Sequence, residues 1–310
     1  MKLSLKIIII LIIAVFLAFA TFMNKKESPS NKKPMVAVTT FALHDILKHI
    51  SGDTLKIVNV LPFGVDPHSF EPTPKLIGDI EKSALFIYSG AGLEPWTHGF
   101  DFASRVINMS KYVELRELHE EKHEEEEHPN HHNHSGKDPH YWLNFSNMIQ
   151  ATNVITNELI KLFPAHKKLY SDNKDKYITM LKKLDLEYKN QLLSCKKHTI
   201  IVNHNAFGYL ADKYHFHVES LSGLSPEAMP NAKNIIRIIE IIKEHQVSTL
   251  FFETFASNRV VNSIAQEANV KVDVLQPLGN ITADEAAQQL TYQKMMTTNL
   301  FKLSRALECH

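Results

Sequence analysis

The residues best equipped for chemistry in this 310-residue chain are its eighteen histidines. Seven of them fall between Leu118 and Trp142: His119, His123, His128, His131, His132, His134 and His140. Neutral imidazole is the commonest protein metal ligand, and a histidine-rich tract is a compositional signal for metal binding. Seven glutamates between Glu117 and Glu127 add attraction for a dication, screened beyond about 8–10 Å at physiological salt. From His119 to Lys137 there is no apolar periodicity, so the segment has no face to bury and reads as a solvated loop. Within it, His119-Glu120-Glu121-Lys122-His123 matches HExxH. That motif needs a buried helix to aim both rings at zinc, and acidic and basic neighbours without an apolar face make this a chance match.

Three histidines stand apart because they sit beside strand ends or helix starts, where parallel sheets place their ligands. His68 lies in Asp66-Pro67-His68, His140 in Asp138-Pro139-His140, and His204 directly after an apolar run, Thr199 to Asn203. Proline fixes the backbone before two of the three rings. Three imidazoles plus one further donor make a standard zinc shell with Zn–N of about 2.0–2.1 Å. Asp66 and Asp138 have two readings, as turn formers before proline or as acceptors that orient the rings.

The elements that position these residues alternate short apolar runs with helical patterns. Strands are expected at 35–40, 55–61, 84–88, 106–108, 199–203, 216–221, 249–252 and 270–275. Helices are expected at 41–50, 74–82, 144–163, 207–213, 231–245, 259–268 and 287–307. Strands alternating with helices predict an α/β fold with parallel sheets. Helix 144–163 carries Ile149, Val154, Ile155, Leu159 and Leu162 at helical spacing, and helix 231–245 carries Ile235, Ile236, Ile239 and Ile242. Between the two sets of strands, 166–193 predicts one long polar helix. Its single stripe, Tyr177, Leu181, Leu184, Tyr188 and Leu192, suits a rod lying across two lobes. The expected organisation is therefore a signal peptide or anchor at 1–23 and a linker at 24–34. An N-terminal βα lobe follows at 35–165, including the histidine-rich loop 119–137. A bridging helix at 166–194 leads to a C-terminal βα lobe at 195–310. The metal is expected in the cleft between the lobes. No sequence repeat relates the two.

Composition narrows the function. Thirty-four basic residues balance thirty-four acidic ones, which leaves no global field for nucleic acid or an anionic membrane. The N-terminus has Lys2 and Lys6, an apolar run Ile7 to Leu17, and Ala18-Phe19-Ala20, the pattern of a secretory signal. The apolar stretch to Met23 also reads as a short uncleaved anchor. Two cysteines, Cys195 and Cys309, form no thiolate metal motif, and in an exported protein they can pair. Phosphate-binding loops, dinucleotide-binding glycines and nucleophile elbows are absent.

Several blocks in order resemble the zinc-binding members of the zinc/manganese solute-binding proteins, the capture subunits of ABC importers. They are FGVDPHSFEPTP (Phe63 to Pro74), DPHYWLN (Asp138 to Asn144), VNHNAFGYLADKYH (Val202 to His215), SPEAMPNAKNIIRIIEIIKEHQVSTLFFE (Ser225 to Glu253) and QPLG (Gln276 to Gly279), with TYQKMMTTNL (Thr291 to Leu300) in the closing helix. The resemblance implies two βα lobes, one rigid bridging helix, and ligands at His68, His140 and His204. A histidine at the third position implies zinc rather than manganese. Relatives often carry an aspartate where this chain has Gln276, a weaker donor. The fourth position is therefore expected to fall to water or a histidine of the tract, with Glu71 behind them. Three neutral ligands would leave the ion's charge uncompensated and favour release.

The expectation is a non-enzymatic, monomeric zinc carrier, exported to the periplasm or outer membrane face. It would deliver Zn²⁺ to an ABC permease driven by a separate ATPase. The tract would gather zinc at low affinity and raise its concentration near the cleft. Binding should weaken as pH falls through the ordinary imidazole range near 6.5. The alternatives are an exported zinc-dependent hydrolase, and a surface zinc buffer or cell adhesion protein without a transporter.

Overall fold

Runs of consecutive apolar residues, without alternation, are what a strand needs when helices cover both faces of a parallel sheet. The computed structural model describes residues 33–118, 136–223, 232–253 and 259–310. It builds two four-stranded sheets, all strand pairs parallel, with such runs in the inner strands. The first contains β1 (Met35–Val38), β2 (Lys56–Asn59), β3 (Leu85–Tyr88) and β4 (Arg105–Asn108) in the order β2-β1-β3-β4. The second contains β5 (Thr199–His204), β6 (His217–Ser222), β7 (Thr249–Phe252) and β8 (Lys271–Val274) in the order β6-β5-β7-β8. The two sheets therefore share one topology although the sequence shows no repeat. Burial follows strand order: β5, at the centre of its sheet, is buried at every residue, whereas edge strand β2 has no fully buried one.

Nine α-helices accompany the sheets among the described residues. They are α1 (Phe41–Ser51), α2 (Pro74–Glu81), α3 (Phe145–Leu162), α4 (Lys167–Gln191), α5 (Gly208–Tyr214), α6 (Ala232–Glu244), α7 (Arg259–Ala268), α8 (Ala283–Ala287) and α9 (Tyr292–Ala306). Successive residues of a central strand enter different cores, as a two-residue period requires. Val36 and Val38 of β1 and Leu85 and Ile87 of β3 join a large cluster, while Ala37 and Phe86 face a small outer one. Ile200 and Val202 of β5 join that same large cluster, while Ile201 packs with α6 and α7. The large cluster runs through α3, α4 and α9, so both sheets contribute to one central core.

Helix α4 spans 25 residues, about 37 Å at 1.5 Å per residue. Its predicted stripe is buried: Tyr177, Leu181, Leu184, Tyr188 and Leu192 are each at most 7 % exposed. Buried phenols need hydrogen-bond partners, and these reach to both ends of the molecule. Tyr170 Oη is 2.8 Å from Thr54 Oγ1, Tyr177 donates to Asp45 at 2.7 Å, and Tyr188 donates to the Met296 carbonyl at 2.7 Å. At the far end of α4, Cys195 and Cys309 form a disulfide across 114 residues of sequence. That cross-link ties the C-terminus to the bridging helix.

Three expectations change. The closing helix does not begin at residue 287, which ends the separate helix α8. A capping box of Thr282 and Glu285 starts α8, and Gln289, with φ 52°, breaks it. Thr291 then caps α9 through the Lys294 N–H. In α6 the apolar face is turned from the one expected at Ile235, Ile236, Ile239 and Ile242. Ile238 and Ile242 are buried, while Ile236 is 59 % exposed. His204, expected just beyond a strand, is the last residue of β5. No described helix is long and apolar enough to cross a membrane. Residues 1–23 and the tract histidines His119 to His134 lie outside the described residues.

At the carboxyl end of the first sheet lies a buried acid, Glu94. Its carboxylate accepts from Thr39 Oγ1 at 2.6 Å and from the N–H groups of Ser89 and Gly90 at 2.9 and 2.8 Å. Gly90 is obligatory, with φ 79° and Asn108 Oδ1 only 2.0 Å from where a Cβ would stand. Burial pushes the Glu94 carboxyl from its ordinary 4.5 up to about 6, against the pull of those donors. The folded chain thus holds this proton more tightly than the unfolded one. The stabilisation is complete below about pH 4.5 and is lost as pH rises through about 6, an effect of about 2 kcal/mol. Urea unfolding of the parent and Glu94→Gln between pH 4.5 and 6.5 should show the parent losing that increment relative to the variant. Parallel stability curves would refute it.

Candidate metal centre

The three histidines predicted as ligands come together. His68 Nε2 lies 3.4 Å from His140 Nε2, which lies 3.4 Å from His204 Nε2. Ligand nitrogens from all three rings fit within 4.8 Å of one another, the one such His/Cys/Asp/Glu group among the described residues. A tetrahedral shell with Zn–N of about 2.0–2.1 Å has edges of about 3.3–3.4 Å, which matches the two measured nitrogen pairs. His140 and His204 are each 2 % exposed and His68 is half-buried.

Each ring is aimed by its local backbone. In both Asp-Pro-His triplets the aspartate Oδ1 accepts from the N–H of the histidine two residues on, at 3.0 Å. These are Asx turns with proline at the centre, so the two repeats of the motif are two copies of one device. Asp138 Oδ1 also accepts from His140 Nδ1 at 2.8 Å, so the turn and ring-orienting readings both hold there. The loop after His140 is pinned by aromatics. Trp142 packs edge-on against the His140 ring, its Nε1 donates to the Pro277 carbonyl at 2.6 Å, and its own carbonyl accepts from Tyr292 Oη at 2.7 Å.

His204 has a partner that the sequence reading missed. Its Nδ1 pairs with Glu253 Oε1, and Glu253 is 2 % exposed. The register explains the meeting. Ile201 of β5 is opposite Leu250 of β7, and three residues further the same offset sets His204 beside Glu253. The signal in the sequence was a carboxylate directly after the buried run Thr249–Phe252, on the strand flanking the one that ends in His204.

With Nδ1 of His140 and His204 facing carboxylates, the neutral tautomer carries its proton there and offers Nε2 as a lone pair. In that tautomer the two Nε2 atoms face each other as acceptors at 3.4 Å, a convergence that suits a common cation. The buried carboxylates Asp138 and Glu253 also correct the expectation of an uncompensated site, since two negative groups stand directly behind two of the rings. Of the two accessory candidates, Glu71 is exposed and outside the trio, while the Gln276 amide nitrogen donates to Glu285 of α8. The ends of the histidine-rich tract, by contrast, meet close to the site. Glu117 and Lys137 form an antiparallel bridge and an ion pair, Leu118 N–H donates to Gly136, and Asp138 N–H donates to the Arg116 carbonyl.

Comparison with known proteins matches residues 36–306 to the family model described as zinc-uptake complex component A, periplasmic. The high-affinity zinc uptake system protein ZnuA of Bacillus subtilis is 34 % identical over 305 residues, 96 % of each chain. The Zn(II)-bound ZnuA-like domain of Streptococcus pneumoniae AdcA superposes with a TM-score of 0.75 at 27 % identity, covering 89 % of this chain and 99 % of that one. The laminin-binding protein Lmb of Streptococcus agalactiae, described as an adhesin with metal-transporting activity, superposes at 0.77 and 26 % identity over 88 % and 99 %. With the match running from β1 to the last turn of α9, the chain belongs to the family of periplasmic zinc-uptake component A proteins.

Proposed function

We propose that this chain captures Zn²⁺ outside the cytoplasm and hands it to an ABC-type permease whose ATPase is a separate chain. The observation that carries the reading is the pair of 3.4 Å Nε2–Nε2 separations, the edges of a tetrahedral zinc shell, with carboxylates orienting two of the rings. His68, His140 and His204 are the protein ligands, and zinc is cargo rather than a catalyst. Support for binding without turnover comes from Asp138 and Glu253. Both lie on the Nδ1 side of their rings, away from where a metal-bound water would need a base. The histidine-rich tract acts as a collecting arm whose root, where Glu117 pairs with Lys137, rejoins the chain three residues before His140. Residues 1–23 export the chain and either leave as a signal or stay as an anchor, and the carrier works as a monomer.

Competition titrations against a zinc chelator test this on four chains. They are the parent, a chain with residues 119–135 replaced by a Gly-Ser linker, His204→Ala, and Glu253→Gln. One tight site should survive replacement of the tract. It should disappear in His204→Ala, a loss exceeding the roughly 10–100-fold that removing an outer-shell partner costs. Losing the tight site with the tract would place the ligands there and overturn the assignment. Glu253→Gln keeps the shape but removes the charge behind His204, and should weaken zinc binding roughly 10–100-fold with the metal-free fold intact. Unchanged affinity in that variant would leave Glu253 without a role at the site.

A further inference from the structure

His140 and His204 come from opposite halves of the chain, and one side chain connects the supports behind them. Arg116 Nη1 lies 3.5 Å from Asp138 Oδ2, the oxygen not engaged with His140. Its Nε donates to Asp212 Oδ2 of α5 at 2.5 Å. The backbone is tied the same way. Arg116 N–H donates to Tyr209 Oη at 2.9 Å, and that hydroxyl donates to the Asp138 carbonyl at 2.8 Å. Helix α5 starts four residues after His204, so Gly208, Tyr209 and Asp212 make a platform fixed to the strand that carries the third ring. The guanidinium lies directly on that platform: a Cβ at position 208 would stand 2.4 Å from Arg116 Nη1. Gly208 has ordinary helical backbone, so close approach of Arg116 is the reason visible here for a glycine at that point.

We propose that Arg116 is a positioning residue for zinc binding, which sets the separation of His140 from His204 by clamping Asp138 to α5. The proposal rests on reading His68, His140 and His204 as the zinc ligands. Asp138 is fully buried, so its second oxygen needs a partner held in place. A planar guanidinium with several fixed donors can serve two carboxylates at once, which a lysine ammonium does less well. The Arg116–Asp212 contact alone is half-exposed and contributes little to stability. Its part is to fix the direction of the guanidinium.

The test uses the full chain with one equivalent of metal in Arg116→Ala, Gly208→Ala and the double variant. Alanine is the better helix residue, so Gly208→Ala should leave the metal-free unfolding midpoint no lower while pushing the guanidinium off α5. Each single variant should weaken zinc binding about 10–100-fold, the cost of losing an outer-shell partner. Each should also alter the visible spectrum of the Co²⁺ form, which a purely structural role would leave unchanged. In the double variant Gly208→Ala should add nothing, because its target is gone. Parental affinity and spectrum in both single variants, or losses that multiply in the double variant, would overturn the proposal. Should Arg116→Ala fail to fold, Gly208→Ala decides alone. A parent chain with no tight zinc site would instead remove the ligand assignment beneath it.

Discussion

The facing nitrogens of His140 and His204 must be held 3.4 Å apart, with His68 Nε2 another 3.4 Å from His140, and much of the structure answers to that requirement. Left alone, imidazoles with lone pairs facing inward would turn toward water. Here each is held by something stiffer than itself: an Asx turn with proline at His68, a turn and a ring hydrogen bond at His140, and a fully buried strand at His204. The carboxylates behind His140 and His204 fix which nitrogen faces in. The fold itself thus supports the orientation of each ring, which lowers the ordering cost that opposes binding.

That pre-organisation is possible only because the two sheets do not behave as independent bodies. A single hydrophobic cluster includes Val36 and Val38 of the first sheet and Ile200 and Val202 of the second, joined through α3, α4 and α9. The tyrosines of α4 tie its start to Thr54 and Asp45 and its end to Met296. The segment after Pro277 crosses back, with Gly279 accepting from Phe41 N–H and Asn280 donating to the carbonyls of Pro62 and Val65. These contacts hold the loop that leads to His68 against the C-terminal half. Packed cores resist continuous deformation, so they can preserve a 3.4 Å spacing between residues 64 and 72 positions apart.

Much of this was legible in the residues. The parallel α/β class followed from the alternation of apolar runs with helical patterns, and the bridging rod followed from the stripe Tyr177 to Leu192. The three ligand candidates stood out because two share Asp-Pro-His and the third follows a strand. The remainder depended on lateral neighbours, which a linear pattern does not encode. Glu253 meets His204 through the β5–β7 register, and Arg116 meets Asp138 through the root of a loop whose composition drew attention elsewhere. The break between α8 and α9 was written locally, in a capping box and a second N-cap, but an apolar pattern continuing from Ala287 concealed it.

On the proposed ligand set, the same geometry bears on how retention is balanced against release. Three neutral imidazoles alone would leave a dication with its full charge in a poorly solvating pocket, at high cost. Asp138 and Glu253 lower that cost from behind the rings, without entering the shell as strong anionic ligands. Asp138 is in turn shared with the Arg116 guanidinium, so its field at the ion is partly spent. That division of charge suits the proposed role, in which the site must both capture an ion and give it up. The division of ligands sharpens the point. His68 and His140 belong to one half of the chain and His204 to the other. On the proposed ligand set, a separation of the halves large enough to loosen their shared core would take one imidazole from the shell.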